Sequence, residues 1–253
     1  MPILTEAELR DRIRRPRRGM QVVVEPGTRF SPAARDFIAQ WGLEIVEEQT
    51  EAAPPVADAP EWDKPISFPV QPVTLPEPKP EHMTQLDAKH FAPKNIPRIR
   101  FRGKMDSVHG LFQLVAARAR TFQLPDLAGH LDTLAAYCRE IVSAEYNDRE
   151  VAEIQVAGLD AAALRHATHH TRETLGVPHL TPGPDDHEIL HWLNYLRTQV
   201  REAELAALDA FAPPPDYTPT RIDLIRALNR LSSAVYYLEL LFEAGKLSWR
   251  VHL

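Results

Sequence analysis

Arg197, Arg201 and Glu204 lie at i, i+4 and i+7 within Leu196-Arg-Thr-Gln-Val-Arg-Glu-Ala-Glu204. If that stretch is helical, two guanidinium groups and a carboxylate share one face. Leu193, Leu196 and Val200 supply the apolar stripe of the same helix. Such a face can grip an anion, or it can be a solvated surface laced by Arg–Glu pairs. A second stretch, Ala227-Leu-Asn-Arg-Leu-Ser-Ser-Ala-Val-Tyr-Tyr237, has Leu224, Leu228, Leu231 and Val235 on its apolar face. Asn229 stands one step off that face, mid-helix, where its amide competes for backbone hydrogen bonds. It needs a ligand or a neighbouring helix as partner. The third stretch is Met83-Thr-Gln-Leu followed by Lys94-Asn-Ile-Pro-Arg-Ile-Arg-Phe-Arg-Gly-Lys-Met-Asp-Ser107. Lys94, Arg98, Arg100, Arg102 and Lys104 fall within eleven residues of an otherwise acidic chain. A basic loop before a helix N-terminus suits a polyphosphate, because backbone N–H groups and the helix dipole add to the side-chain charge. It is not a Walker loop, which needs GxxxxGK[ST]. A solvated basic segment is the competing reading.

His187-Glu-Ile-Leu-His191 matches HExxH, which on a helix could bind zinc with Glu188 as general base. The metzincin extension is absent, since Trp192-Leu-Asn-Tyr-Leu follows, and no third ligand presents itself. The chain has 11 histidines, so a chance match is easily made. His166, His169 and His170 read as a solvated helix end.

These residues need elements to hold them. Helical periodicity dominates from Lys104 onward, and predicts five helices over about 104–122, 126–146, 160–175, 185–211 and 219–244. Pro125, Gly158, the run Thr181-Pro-Gly-Pro184 and Pro213-Pro-Pro215 mark the breaks. Long helices with short connections imply an antiparallel bundle. The first fifty residues read as a small α/β module. Thr5 caps a helix to about Arg15, and Gln21–Glu25 and Leu43–Val46 are strands. Ser31 and Pro32 open a second helix that Gly42 ends. So small a module has little core of its own and must dock on something. Nine prolines between Ala52 and Pro80 make an extended, semi-rigid linker. The division is therefore 1–50 module, 51–80 linker and 81–253 helical bundle.

Composition excludes several classes. Net charge is −6 with pI near 6.0, which disfavours a nucleic-acid binder. Cys138 is the lone cysteine, so there is neither a disulfide framework nor a CxxC knuckle. No apolar run approaches the roughly 20 residues of a membrane span. The polar, Arg-rich opening residues predict no secretory signal, hence a cytoplasmic protein.

Read together, the stretches resemble the corrinoid (cobalamin) adenosyltransferases of the ethanolamine-utilisation class. Thr-x-Leu, then Lys-x-x-Pro-Arg-Ile, then Asp106-Ser107 is similar to that family's ATP-binding segment. Leu180-Thr-Pro-Gly183 resembles the Leu-Pro-Gly turn of the propanediol-utilisation class. Leu-Arg-x-x-Val-Arg-Glu-x-Glu and Leu-Asn-Arg-Leu-Ser-Ser-x-Val-Tyr resemble the ethanolamine-utilisation class. Order and spacing hold from about residue 82 to 242, and Thr5-Glu-Ala and Arg29-Phe-Ser-Pro-Ala-Ala-Arg35 extend the likeness to the module. Two features depart. The His/Cys metal cluster of some members is missing, its place being taken by the proline linker, so no protein-held metal is expected. The Thr-Gly-Asp-x-Gly loop of the propanediol class is also absent.

The resemblance implies a mainly α fold, a five-helix bundle, that assembles as a homotrimer with active sites between subunits. It implies transfer of the 5′-deoxyadenosyl group of ATP to cob(I)alamin, with Mg²⁺ arriving on the nucleotide. Lys94, Arg98 and Arg201 then meet the phosphates, and Thr84 belongs to the ATP segment. Arg197 pairs with Asp106, and Glu204 and Asn229 lie near ribose or Mg²⁺. His179 and Leu180 occupy the positions from which apolar side chains displace the cobalt's axial ligand. His179 stands out there, because a neutral imidazole can itself ligate cobalt. A reductase or a bacterial microcompartment is the expected partner of the N-terminal module. A non-catalytic corrinoid or nucleotide carrier on the same fold is the alternative, and an HExxH zinc peptidase the remote one.

Overall fold

The structure, a computed structural model, describes residues 3–13, 16, 18–47, 79–212, 216–247 and 249–250. Nearly all of the proline-rich linker lies outside them.

Four long helices and one short one form the bundle: α3 (Pro97–Thr121), α4 (Pro125–Tyr146), α5 (Ala161–His169), α7 (Glu188–Phe211) and α8 (Ile222–Glu243), with the single-turn α6 (Thr171–Leu175) after α5. α3 packs between α7 and α4, and α8 packs on α7, α5 and α4. Phe101, Met105, Val108, Phe112 and Val115 recur every three or four residues along α3 and are all buried, so one face of that helix is core. An edge-to-face contact between Phe101 and Phe211, with ring centroids 5.7 Å apart, sets α3 and α7 antiparallel.

Two boundaries differ from the periodicity reading. α3 starts at Pro97, seven residues before Lys104, because proline fits the first helical position and the apolar stripe already begins at Phe101. Arg98, Arg100, Arg102 and Lys104 therefore lie in the helix rather than in a loop before it; Lys94 alone of the five cations precedes it. The helix expected over 160–175 is broken at His170, whose backbone leaves the helical region (φ −118°, ψ 52°).

In the N-terminal segment, strand β1 (Ile3–Leu4) pairs in parallel with β3 (Arg29–Phe30), and β2 (Gln21–Val24) with β4 (Glu44–Glu47). α1 (Glu6–Arg12) carries the Thr5–Glu8 capping box. α2 (Pro32–Trp41) has Ser31 as N-cap, and Gly42, in the left-handed region at φ 58°, ends it. β2 also pairs in parallel with β7 (Trp249–Arg250), so the end of the bundle's last segment joins this sheet. Backbone pairing thus ties this segment to the chain that follows α8. A hairpin, β5 (Met83–Gln85) with β6 (Phe91–Pro93), leads into α3.

Candidate active site

The expected site residues fall into two groups. Thr84 is in β5, Lys94 is exposed just after β6, and Arg98 and Asp106 are on α3. Arg98 does not project freely. Its guanidinium ties to the Glu145 carboxylate and donates to the Glu145 backbone oxygen at 2.9 Å. Arg102 donates to the other oxygen of Glu145 at 2.5 Å and to the backbone oxygens of Gln85 and Leu86. Glu145 is 0 % exposed, so two cations balance one buried charge. This cluster clamps the hairpin and the start of α3 to the end of α4. In the sequence Arg102 is one more cation of a basic segment; its partner is 43 residues away, which no local pattern discloses.

The second group lies on α7, α8 and the segment before α7. Arg201 is exposed and, among the described residues, makes no ion pair. Glu204 accepts from the Asn229 amide at 3.2 Å, linking α7 to α8. The Asn229 amide oxygen in turn accepts from Arg230 at 2.9 Å. Partial burial, with Arg165 and Arg226 nearby, pushes the Arg230 pKa down, so positive charge accumulates beside Asn229. One turn beyond the serines that follow Asn229, the Tyr236 ring carries the Arg197 guanidinium 5.0 Å from its centroid. The Tyr236 hydroxyl accepts from the Leu180 N–H at 2.9 Å and lies 3.1 Å from His179 Nδ1. The hydroxyl keeps a second lone pair and its own proton, so it can accept from or donate to Nδ1 according to the His179 tautomer, and in either case Nδ1 is engaged.

Glu239 completes this face, and the sequence reading passed over it. It sits one turn after Tyr236, is 0 % exposed, and neither carboxylate oxygen has a hydrogen-bond partner. Burial pushes its pKa up to about 8, against the opposing pull of Arg197. One sequence clue was present: Glu239 is the lone polar residue of Leu238-Glu-Leu-Leu-Phe242.

No hydrogen bond or ion pair among the described residues joins the first group to the second, and none joins Arg197 to Asp106. The Phe101–Phe211 contact and the Arg118–Glu188 pair fix the register of α3 against α7. That register puts Asp106 nearer the level of Glu204 than of Arg197.

The HExxH residues have other duties. His187 is the N-cap of α7, its Nδ1 accepting from the Ile189 N–H at 3.1 Å, and its ring packs on Phe122 and Phe242. Glu188 accepts from the Trp192 indole and from Arg118, which hold its carboxyl below the usual range. His187 precedes the helix instead of facing His191 across one of its turns. Among the described residues, no three His, Cys, Asp or Glu side chains gather as a metal site.

The model of the cobalamin adenosyltransferase family matches residues 77–242, which hold both groups. The chain belongs to that family. The corrinoid adenosyltransferase EutT of Salmonella typhimurium is 27 % identical over 237 residues, covering 88 % of this chain and 86 % of that protein. EutT of Escherichia coli K12 is 28 % identical over 240 residues, with the same coverage. These relatives place this adenosyltransferase in the ethanolamine-utilisation class. A variant PduO-type ATP:corrinoid adenosyltransferase from Lactobacillus reuteri, complexed with cobalamin and ATP, shares the fold. Its TM-score is 0.51 at 13 % identity, over 68 % of this chain and 94 % of that one. The adenosyltransferase bundle therefore carries the Arg201 face, and the peptidase reading falls away with the family assignment. No helix among the described residues is long and apolar enough to cross a membrane.

Proposed function

We propose that this chain transfers the 5′-deoxyadenosyl group of ATP to the cobalt of cob(I)alamin, at a site completed between copies of the chain. The cobalt–C5′ bond forms as the C5′–O bond breaks, and the electron pair leaves with the polyphosphate. Cobalt(I) is a strong nucleophile and needs no general base, so the protein's tasks are alignment and charge stabilisation. The observation that carries the reading is the α7–α8 face: Arg201 exposed without an ion pair, beside the linked Glu204 and Asn229.

Arg201 meets the phosphates, with Lys94 from the hairpin segment. Arg98 contributes in the second rank, since Glu145 already claims its guanidinium. Its clamp on the hairpin fixes where Thr84 and Lys94 stand. Glu204 and Asn229 lie near ribose or Mg²⁺ brought by ATP: the Glu204 carboxylate offers the oxygen donors a hard cation prefers, while the Asn229 oxygen already accepts from Arg230. Bound there, Mg²⁺ would neutralise charge on the departing phosphate chain. His179 and Leu180 face the corrinoid, and the hydrogen bond to Tyr236 engages His179 Nδ1, which keeps that nitrogen from cobalt.

The lack of a hydrogen bond or ion pair between the two residue groups among the described residues fits a site shared between subunits of a homotrimer, with Asp106 of one copy reaching Arg197 of the next. Light scattering that finds a fully active monomer would refute that arrangement. We further propose that residues 1–50 and the linker 51–80 form a docking element, for a reductase or a microcompartment surface, attached to the catalytic bundle 81–253. Turnover of reduced cobalamin with ATP, followed by the spectrum of the adenosylated product, tests the function. Binding of both substrates without product would favour the carrier alternative.

A further inference from the structure

Arg197 and Glu239 are neighbours that do not touch. The guanidinium lies over the Tyr236 ring, 5.0 Å from its centroid, while both oxygens of Glu239 are buried without a partner. Tyr236 and Glu239 are three residues apart on α8, so their side chains lie one above the other about one turn, roughly 5 Å, apart. A long arginine side chain spans that distance by changing rotamers. Two berths for one cation are thus stacked along a helix, one aromatic and the other a carboxyl.

We propose that Glu239 is a proton-controlled positioning residue for Arg197. With the carboxyl protonated, Arg197 stays over Tyr236, on the face that holds Arg201 and Asn229. When the carboxyl loses its proton to solvent, the bare carboxylate draws the guanidinium inward and removes it from that face. This rests on the adenosyltransfer reading and adds its regulation.

The electrostatics favour such a switch. An unpartnered carboxylate in an apolar interior is costly, so the group stays neutral until pH approaches about 8. Among the described residues, Arg197, from α7, is the charged group that acts on it, and no charge on α4, α5 or α6 does so. His130 on α4 answers to burial and to Asp126 of its own helix. On α8 itself, Tyr236 lies one turn before and Glu243 one turn after. His179 is bonded to the Tyr236 hydroxyl, and His187 packs on Phe242. Because ionisation and pairing are coupled, Arg197 lowers the pH at which the carboxyl gives up its proton below what burial alone would set.

The test compares pH profiles of kcat and of KM for ATP in the wild-type enzyme and in E239Q, whose amide is neutral at every pH. Wild-type kcat should fall about tenfold per pH unit on the alkaline side, and E239Q should lose that limb. Superimposable profiles would overturn the proposal. A second readout needs no turnover: carboxyl-carbon and guanidinium-nitrogen NMR of the full-length protein. One glutamate should titrate far above the ordinary range, Arg197 should shift at the same pH, and both changes should vanish in E239Q. A Glu239 that titrates at its ordinary value, or an Arg197 that ignores it, would sink the idea. A wild-type protein without turnover at any pH would fail the adenosyltransfer reading instead, and the NMR titration would still judge the pairing.

Discussion

Glu145 and Glu239 are both 0 % exposed, yet the bundle treats them in opposite ways. Glu145, at the end of α4, meets Arg98 and Arg102, and the clamp they make holds the hairpin against the bundle. Glu239, near the end of α8, meets no hydrogen-bond donor. A saturated buried ion cluster fixes one geometry, because removing any member strands a charge. An unpartnered buried carboxyl is costly to ionise and marks a place where function is to be sought. The difference teaches where to look for action: the α3–α4 junction is a fixed frame, and the α7–α8 face carries the groups proposed to act.

Four experiments would break or sharpen that contrast. Glu145→Ala should be the most destabilising, a loss of about 3–5 kcal/mol in unfolding free energy, since Arg98 and Arg102 would be left partly buried without their counter-charge. Denaturant unfolding measures it, and a change under 1 kcal/mol or so would show the clamp to be ornamental. Arg201→Ala should keep that stability and slow turnover by about 10²-fold or more, the scale for one lost charge-stabilising donor. Near-normal kcat would remove Arg201 from the phosphate site.

Glu239→Gln should alter how stability depends on pH. The folded-state pKa of Glu239 is raised to about 8 from an ordinary 4.5, so its favourable contribution is complete below about pH 4.5. As pH rises from there toward 8, the unfolded chain releases the proton that the folded chain retains. The contribution then falls by up to about 1.4 kcal/mol per pH unit. The glutamine variant lacks this loss and should gain on the wild type across that window. Melting curves at a series of pH values check it, and parallel curves would mean that Glu239 is hydrated or paired in solution. The smallest effect belongs to the double change His187→Gln, His191→Gln. Loss of the N-cap bond at His187 should cost about 1 kcal/mol. Turnover should change little, and elemental analysis should find the same metal content in both proteins.

Much of the frame was legible in the sequence. The stripe through Leu224, Leu228, Leu231 and Val235 announced α8, and Ser31-Pro32 with Gly42 marked both ends of α2. The Arg197, Arg201 and Glu204 spacing put those residues on one helix, and the motif order pointed to the family that the comparison established. The start of α3 was misplaced because a run of cations hid an apolar stripe that begins at Phe101.

Helix type, helix face and caps follow from neighbours within about four residues, so the sequence alone determined them. Which charge meets which depends on the helices that lie side by side and on their register. That is why only the tertiary structure decided that Arg98 turns to Glu145, 47 residues on, and that His187 caps a helix between two phenyl rings. It also joined β2 to β7 across almost the whole chain. For the same reason Glu239, one acid among many in the sequence, emerged as the buried carboxyl beside Arg197: a missing partner becomes visible only once every neighbour is in place.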